Sequence, residues 1–167
     1  GYVGRPLIEA LAAKGYAVHA LVRRGSEGKL APPAAIAVVG DALDESSYAA
    51  SIPPAATLVH LVGTPHPNPA KAAEFRRVDL VSIRAATVAA RSAGVHHLIY
   101  VSVAHPAPIM REYIAVRQQG EDLVRATGIP ATIVRPWYVL GPGHWWPYAL
   151  LPFYALLRQL PATRASA

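Results

Sequence analysis

A chain of 167 residues, 53% of them apolar, has the length and composition of one globular domain with a sizeable core, which argues against intrinsic disorder. It contains no cysteine, so disulfides, thiolate metal sites and a cysteine nucleophile are excluded. The net charge of +6 is carried by Arg and Lys scattered singly or in pairs, without a basic run or interleaved aromatics, which speaks against nucleic acid as a partner.

The first stretch, Gly1-Tyr2-Val3-Gly4-Arg5-Pro6, opens a helix that is expected to run to about Lys14 and stop at Gly15. Val3, Leu7, Ile8 and Leu11 share one stripe, Pro6 sits in a first turn where its missing N–H is not needed, and Lys14 suits the negative end of the helix dipole. Glycine at the mouth of such a helix lets backbone N–H groups approach an anion without a Cβ in the way, and the helix adds roughly half a positive charge there. The stretch reads as the back half of a glycine-rich phosphate loop, or else as an ordinary first helix with a glycine cap. On the first reading the strand and glycine that normally precede the loop lie upstream, and the chain is expected to be a fragment lacking a central strand.

Tyr16-Ala17-Val18-His19-Ala20-Leu21-Val22 is a near-continuous apolar run, the pattern of a parallel strand buried on both faces. It ends in Arg23-Arg24-Gly25. In a nucleotide-binding βαβ unit this position meets the adenosine ribose, where an acidic residue holds a free 2′-hydroxyl and an arginine accommodates a 2′-phosphate. Arg23 and Arg24 therefore point to NADP(H) over NAD(H), through charge-assisted bonds of about 1.5 to 3 kcal/mol, a roughly ten- to hundred-fold preference. The alternative is two arginines that simply solubilise a loop.

Ala35-Ile36-Ala37-Val38-Val39 is the next strand, ending in Gly40-Asp41-Ala42, where either an adenine rests or Asp41 forms a turn; Asp44 is placed to cap a short helix from Glu45 to about Ser51. Thr57 to Gly63 comes next as a strand, with His60 expected as a packed core histidine and Gly63 letting the backbone run close to a ligand. His66 has no partner at metal-ligand spacing, and no metal is expected. After the Pro65 to Pro69 loop a long helix is predicted from about Lys71 to Ala93, closed by Gly94, with a lean face of Phe75, Val78, Ser82, Ala85, Ala86 and Ala89 suited to a sheet or to a second subunit. Val95 to Val103 is a further buried-type strand, a helix runs from about Met110 to Thr127, and Ala131 to Arg135 is the last clear strand, ended by Pro136. The remaining stretch, 137–167, is read as a substrate-side loop and an amphipathic helix, part of the same domain as 1–136 and too short in its uncharged portion to span a bilayer.

Strands and helices alternating at this rhythm demand parallel strands and right-handed crossovers, hence a Rossmann-type, doubly wound α/β sheet with ligands outside the carboxyl ends of its strands. At one such end stands Ser102, and Tyr113 and Arg117, four apart on the next helix, share a face aimed at the same mouth. A tyrosine with a pKa of about 10 is a poor acid or base at neutral pH unless a fixed cation stabilises its phenolate, and a serine hydroxyl can hold a substrate carbonyl. Ser102 would orient the substrate and Tyr113 would pass a proton while a nicotinamide passes hydride. The competing reading makes Tyr113 a half-buried helix tyrosine and pairs Arg117 with Glu121 one turn on.

The ordered set Gly1-Tyr2-Val3-Gly4, Arg23-Arg24, Gly40-Asp41, Val101-Ser102, Tyr113-x-x-x-Arg117 and Arg135-Pro136-Trp137-Tyr138-Val139-Leu140-Gly141-Pro142-Gly143 resembles the atypical short-chain dehydrogenase/reductase superfamily, and within it the NmrA-like NAD(P)H-binding proteins. It is similar also to the Rossmann-fold accessory subunit of respiratory complex I. The resemblance implies that Gly1, Tyr2, Val3 and Gly4 belong to the pyrophosphate loop, that Asp41 and Ala42 border the adenine, that Leu61, Val62 and Gly63 line the cofactor, and that Pro136 passes near the nicotinamide. Where superfamily reductases carry lysine in a Tyr-x-x-x-Lys pair this chain has Arg117, which keeps the charge but is planar and cannot titrate. The expected protein is cytoplasmic and is an NADPH-dependent oxidoreductase acting on a small carbonyl or quinone-like substrate. Two alternatives stand beside it: a non-catalytic redox sensor or assembly factor that meets a partner protein, and a nucleotide-sugar epimerase or dehydratase, which usually needs a larger carboxyl-terminal domain. Substrate and oligomeric state are not legible.

Overall fold

The computed structural model describes residues 1–30, 35–106, 110–137 and 139. The chain divides into two units, Gly1–Arg135 and Pro136–Ala167. The loop and helix expected over 137–167 lie, apart from Trp137 and Val139, outside the described residues.

The first unit holds five short strands, β1 (His19–Val22), β2 (Ile36–Val39), β3 (Thr57–His60), β4 (His97–Val101) and β5 (Ala131–Val134), and the helices α1 (Gly4–Ala13), α2 (Ala72–Glu74), α3 (Val81–Ser92) and α4 (Arg111–Ala126), in the order α1-β1-β2-β3-α2-α3-β4-α4-β5, with only 3-10 turns, among the described residues, between β1, β2 and β3. Every strand pair is parallel: β1 with β2, β3 with β4, and β4 with β5. The strands form two parallel sheets, one of order β1-β2 and one of order β3-β4-β5. The expected α/β class and parallel topology are therefore what the chain adopts.

Each strand is shorter than its apolar run predicts, because only the residues paired in a ladder belong to it. β3 ends at His60, opposite Tyr100, so Leu61 to Gly63 lie beyond the paired residues. The expectation of a first strand buried on both faces is corrected, since Leu21 is 38% exposed and on β2 Ile36 is 58% exposed. A long apolar run is buried only where other elements cover both of its faces, and among the described residues β1 is covered on the side of Ala20 and Val22, while His19 and Leu21 are exposed. The core is built on β4, where Leu98 and Tyr100 meet Ile83, Ala86 and Ala90 of α3 and Val124 of α4.

The long helix predicted from Lys71 to Ala93 is not continuous α-helix. It starts as a 3-10 turn at Pro69–Lys71 capped by the Asn68 side chain, passes through α2, widens into a π-helical segment over Phe75–Leu80, and resumes as α3. A π turn carries one extra residue and rotates the helix beyond it, a local cost that usually marks a functional requirement. Here it brings Asp79 into the interior, where it is fully buried. The lean face behaves as expected toward the sheet, with Phe75, Ser82, Ala85, Ala86 and Ala89 all buried.

Candidate functional site

At the mouth of α1 the helix's own hydrogen bonds begin with the Arg5 N–H, which donates to the Gly1 carbonyl at 3.2 Å, and the N–H groups of Val3 and Gly4 have no backbone partner among the described residues. Gly1, Tyr2 and Val3 are exposed. A Cβ on Gly1 would meet nothing within 4 Å, and one on Gly4 only Leu61 Cδ1, at 3.7 Å. Open space in front of unspent N–H groups fits a phosphate, and the Leu61 contact sets this mouth beside the residues just past β3.

The carboxyl ends of β1 and β2 leave the sheet together, since the Gly40 N–H donates to the Val22 carbonyl at 3.0 Å. Arg23 and Arg24, next in line, are exposed and make no ion pair among the described residues. Asp41 folds back on its own turn: its Oδ1 accepts the Leu43 N–H at 2.9 Å, and its N–H donates to Ser47 Oγ at 2.9 Å. Of the two readings of Asp41 the turn is thus occupied, with Ala42 half-buried beside it.

Beyond β3 the arrangement is polar and buried. Asp79 Oδ2 accepts both the N–H (2.9 Å) and the O–H (2.6 Å) of Thr64, and Oδ1 lies 2.7 Å from Arg117 Nη2. Arg117 is itself only 5% exposed, and its Nη1 donates to the carbonyls of Val101 (3.1 Å) and Val62 (3.4 Å). Its guanidinium faces the Tyr113 ring at 5.2 Å and the Tyr100 ring at 5.9 Å from the centroids. Tyr113 in turn rests on Phe75, the ring centroids 4.9 Å apart. So Tyr113 and Arg117 do share a face, and Arg117 pairs with Asp79 where the sequence offered Glu121. The missing side chain at Gly63 has a structural reason of its own: a Cβ there would collide with Arg117 Nη2 and sit 3.2 Å from Asp79 Oδ1.

Below this pair the polar chain continues. The Ser82 hydroxyl donates to the Asp79 carbonyl at 3.0 Å, which leaves its oxygen to accept from His60 Nε2 at 3.2 Å. His60 is the packed core histidine expected, and burial, with help from the Arg117 charge, pushes its pKa from 6.5 down to about 3. Burial also raises the Tyr100 phenol, against the opposing pull of Arg117. Gly120 admits the Tyr100 ring against α4, since a Cβ there would stand 2.8 Å from Tyr100 Cζ.

Ser102, buried at the end of β4, donates its hydroxyl hydrogen to Glu121 Oε1 at 2.7 Å. Glu121 also receives Arg135, through Nε at 2.8 Å and through Nη2, and Arg125 Nη2 at 2.9 Å. The Arg135 bonds first, then those from Ser102 and Arg125, hold this carboxyl at about 2 in spite of its burial. With its hydrogen so placed, the Ser102 hydroxyl keeps acceptor capacity only. Pro136 lies in the second unit.

Asp79, Thr64 and Glu121 carry most of these bonds, yet of the three the sequence reading singles out only Glu121, as a partner for Arg117. A signal was present. Asp79 lies one turn past Phe75 on the lean stripe, and Glu121 lies one turn past Arg117 in the same way; a carboxylate on a buried stripe needs a partner and so announces one.

A sequence profile of the family described as NAD(P)H-binding matches residues 1–142. Among curated proteins, the chain is 35% identical over 149 residues to a protein of Caulobacter vibrioides named ceramide reductase, covering 86% of this chain and 45% of that one. It is 27% identical over 162 residues to a Stigmatella aurantiaca protein named 4-hydroxy-2-methyl-3-oxo-4-farnesyl-3,4-dihydroquinoline-1-oxide ketoreductase, covering 84% and 48%. The chain thus spans about half the length of the curated relatives it matches. Among solved structures, a short-chain dehydrogenase/reductase superfamily protein of Agrobacterium tumefaciens with bound NAD is similar in fold, with a TM-score of 0.64 at 24% identity over 81% of this chain and 46% of that one. Among the described residues no helix is long and apolar enough to cross a membrane.

Proposed function

This chain belongs to the NAD(P)H-binding family, and from that premise we propose that it forms the cofactor-binding part of an NADPH-dependent reductase of small carbonyl or quinone-like substrates. The observation that carries the reading is the stack of Tyr113 on Arg117, with the guanidinium 5.2 Å from the ring centroid and bonded to backbone carbonyls beyond β3 and at the end of β4. The names of both curated relatives, each a reductase, support the reaction class. NADPH when bound supplies the hydride. The Tyr113 O–H gives its proton to the substrate oxygen, the buried Arg117 offers a positive charge to the phenolate left behind, and solvent returns the proton. Phosphates are held by the N–H groups of Val3 and Gly4, and the 2′-phosphate by Arg23 and Arg24, which have no competing ion pair among the described residues.

Two variants of the full-length protein test this. Tyr113→Phe should abolish turnover and leave NADPH affinity within twofold, whereas Arg23→Asp should erase a preference for NADPH over NADH of about tenfold. Equal affinity for the two nucleotides in the wild type would overturn the cofactor assignment. A second reading, a non-catalytic sensor of the NADP(H) redox state that meets a partner protein, is favoured by the way Arg117 is consumed by Asp79 and two carbonyls. On that reading Tyr113→Phe leaves partner binding intact.

A further inference from the structure

We propose that Asp79 and Arg117 act together as a positioning pair that sets the backbone of Leu61 to Thr64, and through it the affinity for the nucleotide. The inference rests on the reading that these residues border the cofactor, and it concerns two side chains that need not touch the cofactor at all.

The β3–β4 ladder ends at the His60–Tyr100 pair, and among the described residues no strand pairs with the next four. Their polar backbone is instead gripped by side chains. Arg117 Nη1 takes the Val62 carbonyl, the Arg117–Asp79 ion pair fills the space where a Gly63 side chain would lie, and Asp79 takes both donors of Thr64. Arg117 binds the Val101 carbonyl with the same nitrogen, which ties the residues beyond β3 to the end of β4. Leu61, at the head of the gripped segment, is the residue that faces Gly4 at the α1 mouth. Any slackening of the grip therefore moves the wall of the phosphate site.

The π-helical turn is the local cost of this arrangement. Asp79 lies within it, and the Asp79 carbonyl is taken up by the Ser82 hydroxyl. A pair kept only for stability would not need this, because replacing a buried ion pair by apolar residues of similar volume is often neutral or stabilising. Such a replacement separates the two roles.

The test uses the full-length protein as wild type, the double variant Asp79→Leu/Arg117→Met, and Thr64→Val, which deletes one donor to Asp79 and little else. Denaturation midpoint, NADPH dissociation constant and amide exchange at Val62 to Thr64 are measured for each. The double variant is expected to keep a midpoint near wild type while the dissociation constant rises at least tenfold and exchange in the segment quickens at least tenfold; Thr64→Val should shift both about threefold in the same direction. A dissociation constant within twofold of wild type in folded variants overturns the proposal, and so does unchanged exchange in the segment. If the double variant does not fold, Thr64→Val decides by the same two readings. If the wild type binds neither NADPH nor NADH, it is the reductase reading that fails, and amide exchange alone then decides whether the pair holds the segment.

Discussion

The two parallel sheets treat the charged residues around them in opposite ways. Around β3, β4 and β5 the charges are enclosed: Asp79, Arg117 and Glu121 are each 5% exposed or less, and every one of them is bonded to at least two other residues. Around β1 and β2 the apolar side chains are the ones in the open, with Leu21, Ile36 and Val39 38 to 58% exposed, and Arg23 and Arg24 are exposed at the strand end, in no ion pair among the described residues. An enclosed charge has already lost its water and is committed to its protein partner, while an exposed one still has its full capacity to offer a ligand. Changes that strand one member of an enclosed pair should therefore be read in stability, replacement of the whole Asp79–Arg117 pair in nucleotide affinity, and changes at Arg23 and Arg24 in binding alone.

The largest break in that contrast is Arg117→Met, which strands Asp79 as an unpaired buried carboxylate. A loss of about 3 to 5 kcal/mol is expected in urea denaturation, and a loss under 1 kcal/mol would mean that Asp79 finds water or a proton at little cost. Acid should act on the same part of the molecule. His60 is neutral in the fold, with its pKa depressed from 6.5 to about 3, and the unfolded chain takes up the proton first. Stability should hold above 6.5 and fall as pH drops toward 3, by an amount on the order of 4 kcal/mol, and His60→Gln should flatten that slope.

Glu121 works in a lower window. Its pKa is depressed from 4.5 to about 2, so its contribution is complete above 4.5 and is lost as pH falls through 2. It amounts to about 3 kcal/mol, and Glu121→Gln should remove the titration below 4.5 while leaving the His60 slope in place.

Smaller again is Gly120→Ala. The added Cβ meets the Tyr100 ring, and overpacking of about 1 to 3 kcal/mol should outweigh the gain of about 1 kcal/mol in helix propensity. In the other part of the molecule Gly28→Ala, where a Cβ meets nothing within 4 Å, should move stability by no more than about 0.5 kcal/mol. Arg23→Asp belongs beside it: stability within about 0.5 kcal/mol, and a change in nucleotide preference only.

Much of this architecture is legible in the sequence. Gly94 and Gly128, with φ of 66° and 72°, stand just past α3 and α4 as their positions predict, and the Asp44 side chain accepts the Ser46 N–H at 3.1 Å as the expected cap. These are signals between neighbours in the chain, and a chain cannot hide them. The break in the long helix is not legible, because the residues over Phe75 to Leu80 are ordinary helix formers, and the widening answers to Thr64 and Arg117, which lie elsewhere in the sequence. The exposure of β1 and β2 escapes for a related reason: an apolar run records what a strand can bury, and cover is supplied by other elements.

The sequence by itself determined the order of strands and helices, the parallel strands, the stops at glycine, and the likeness of Gly1 to Gly4, Arg23-Arg24 and Tyr113-x-x-x-Arg117 to a nucleotide-binding reductase. All of these rest on local spacing and on residue type. Tertiary structure alone decided which carboxylate meets which cation. From Arg117, Glu121 stood one turn away on the same helix and Asp79 in a different helix, and packing chose Asp79 for Arg117 and gave Glu121 to Ser102, Arg125 and Arg135. The reason is desolvation: once a charge is enclosed it must take the partner that the surrounding elements bring within reach, and that choice is not written at any fixed interval along the chain.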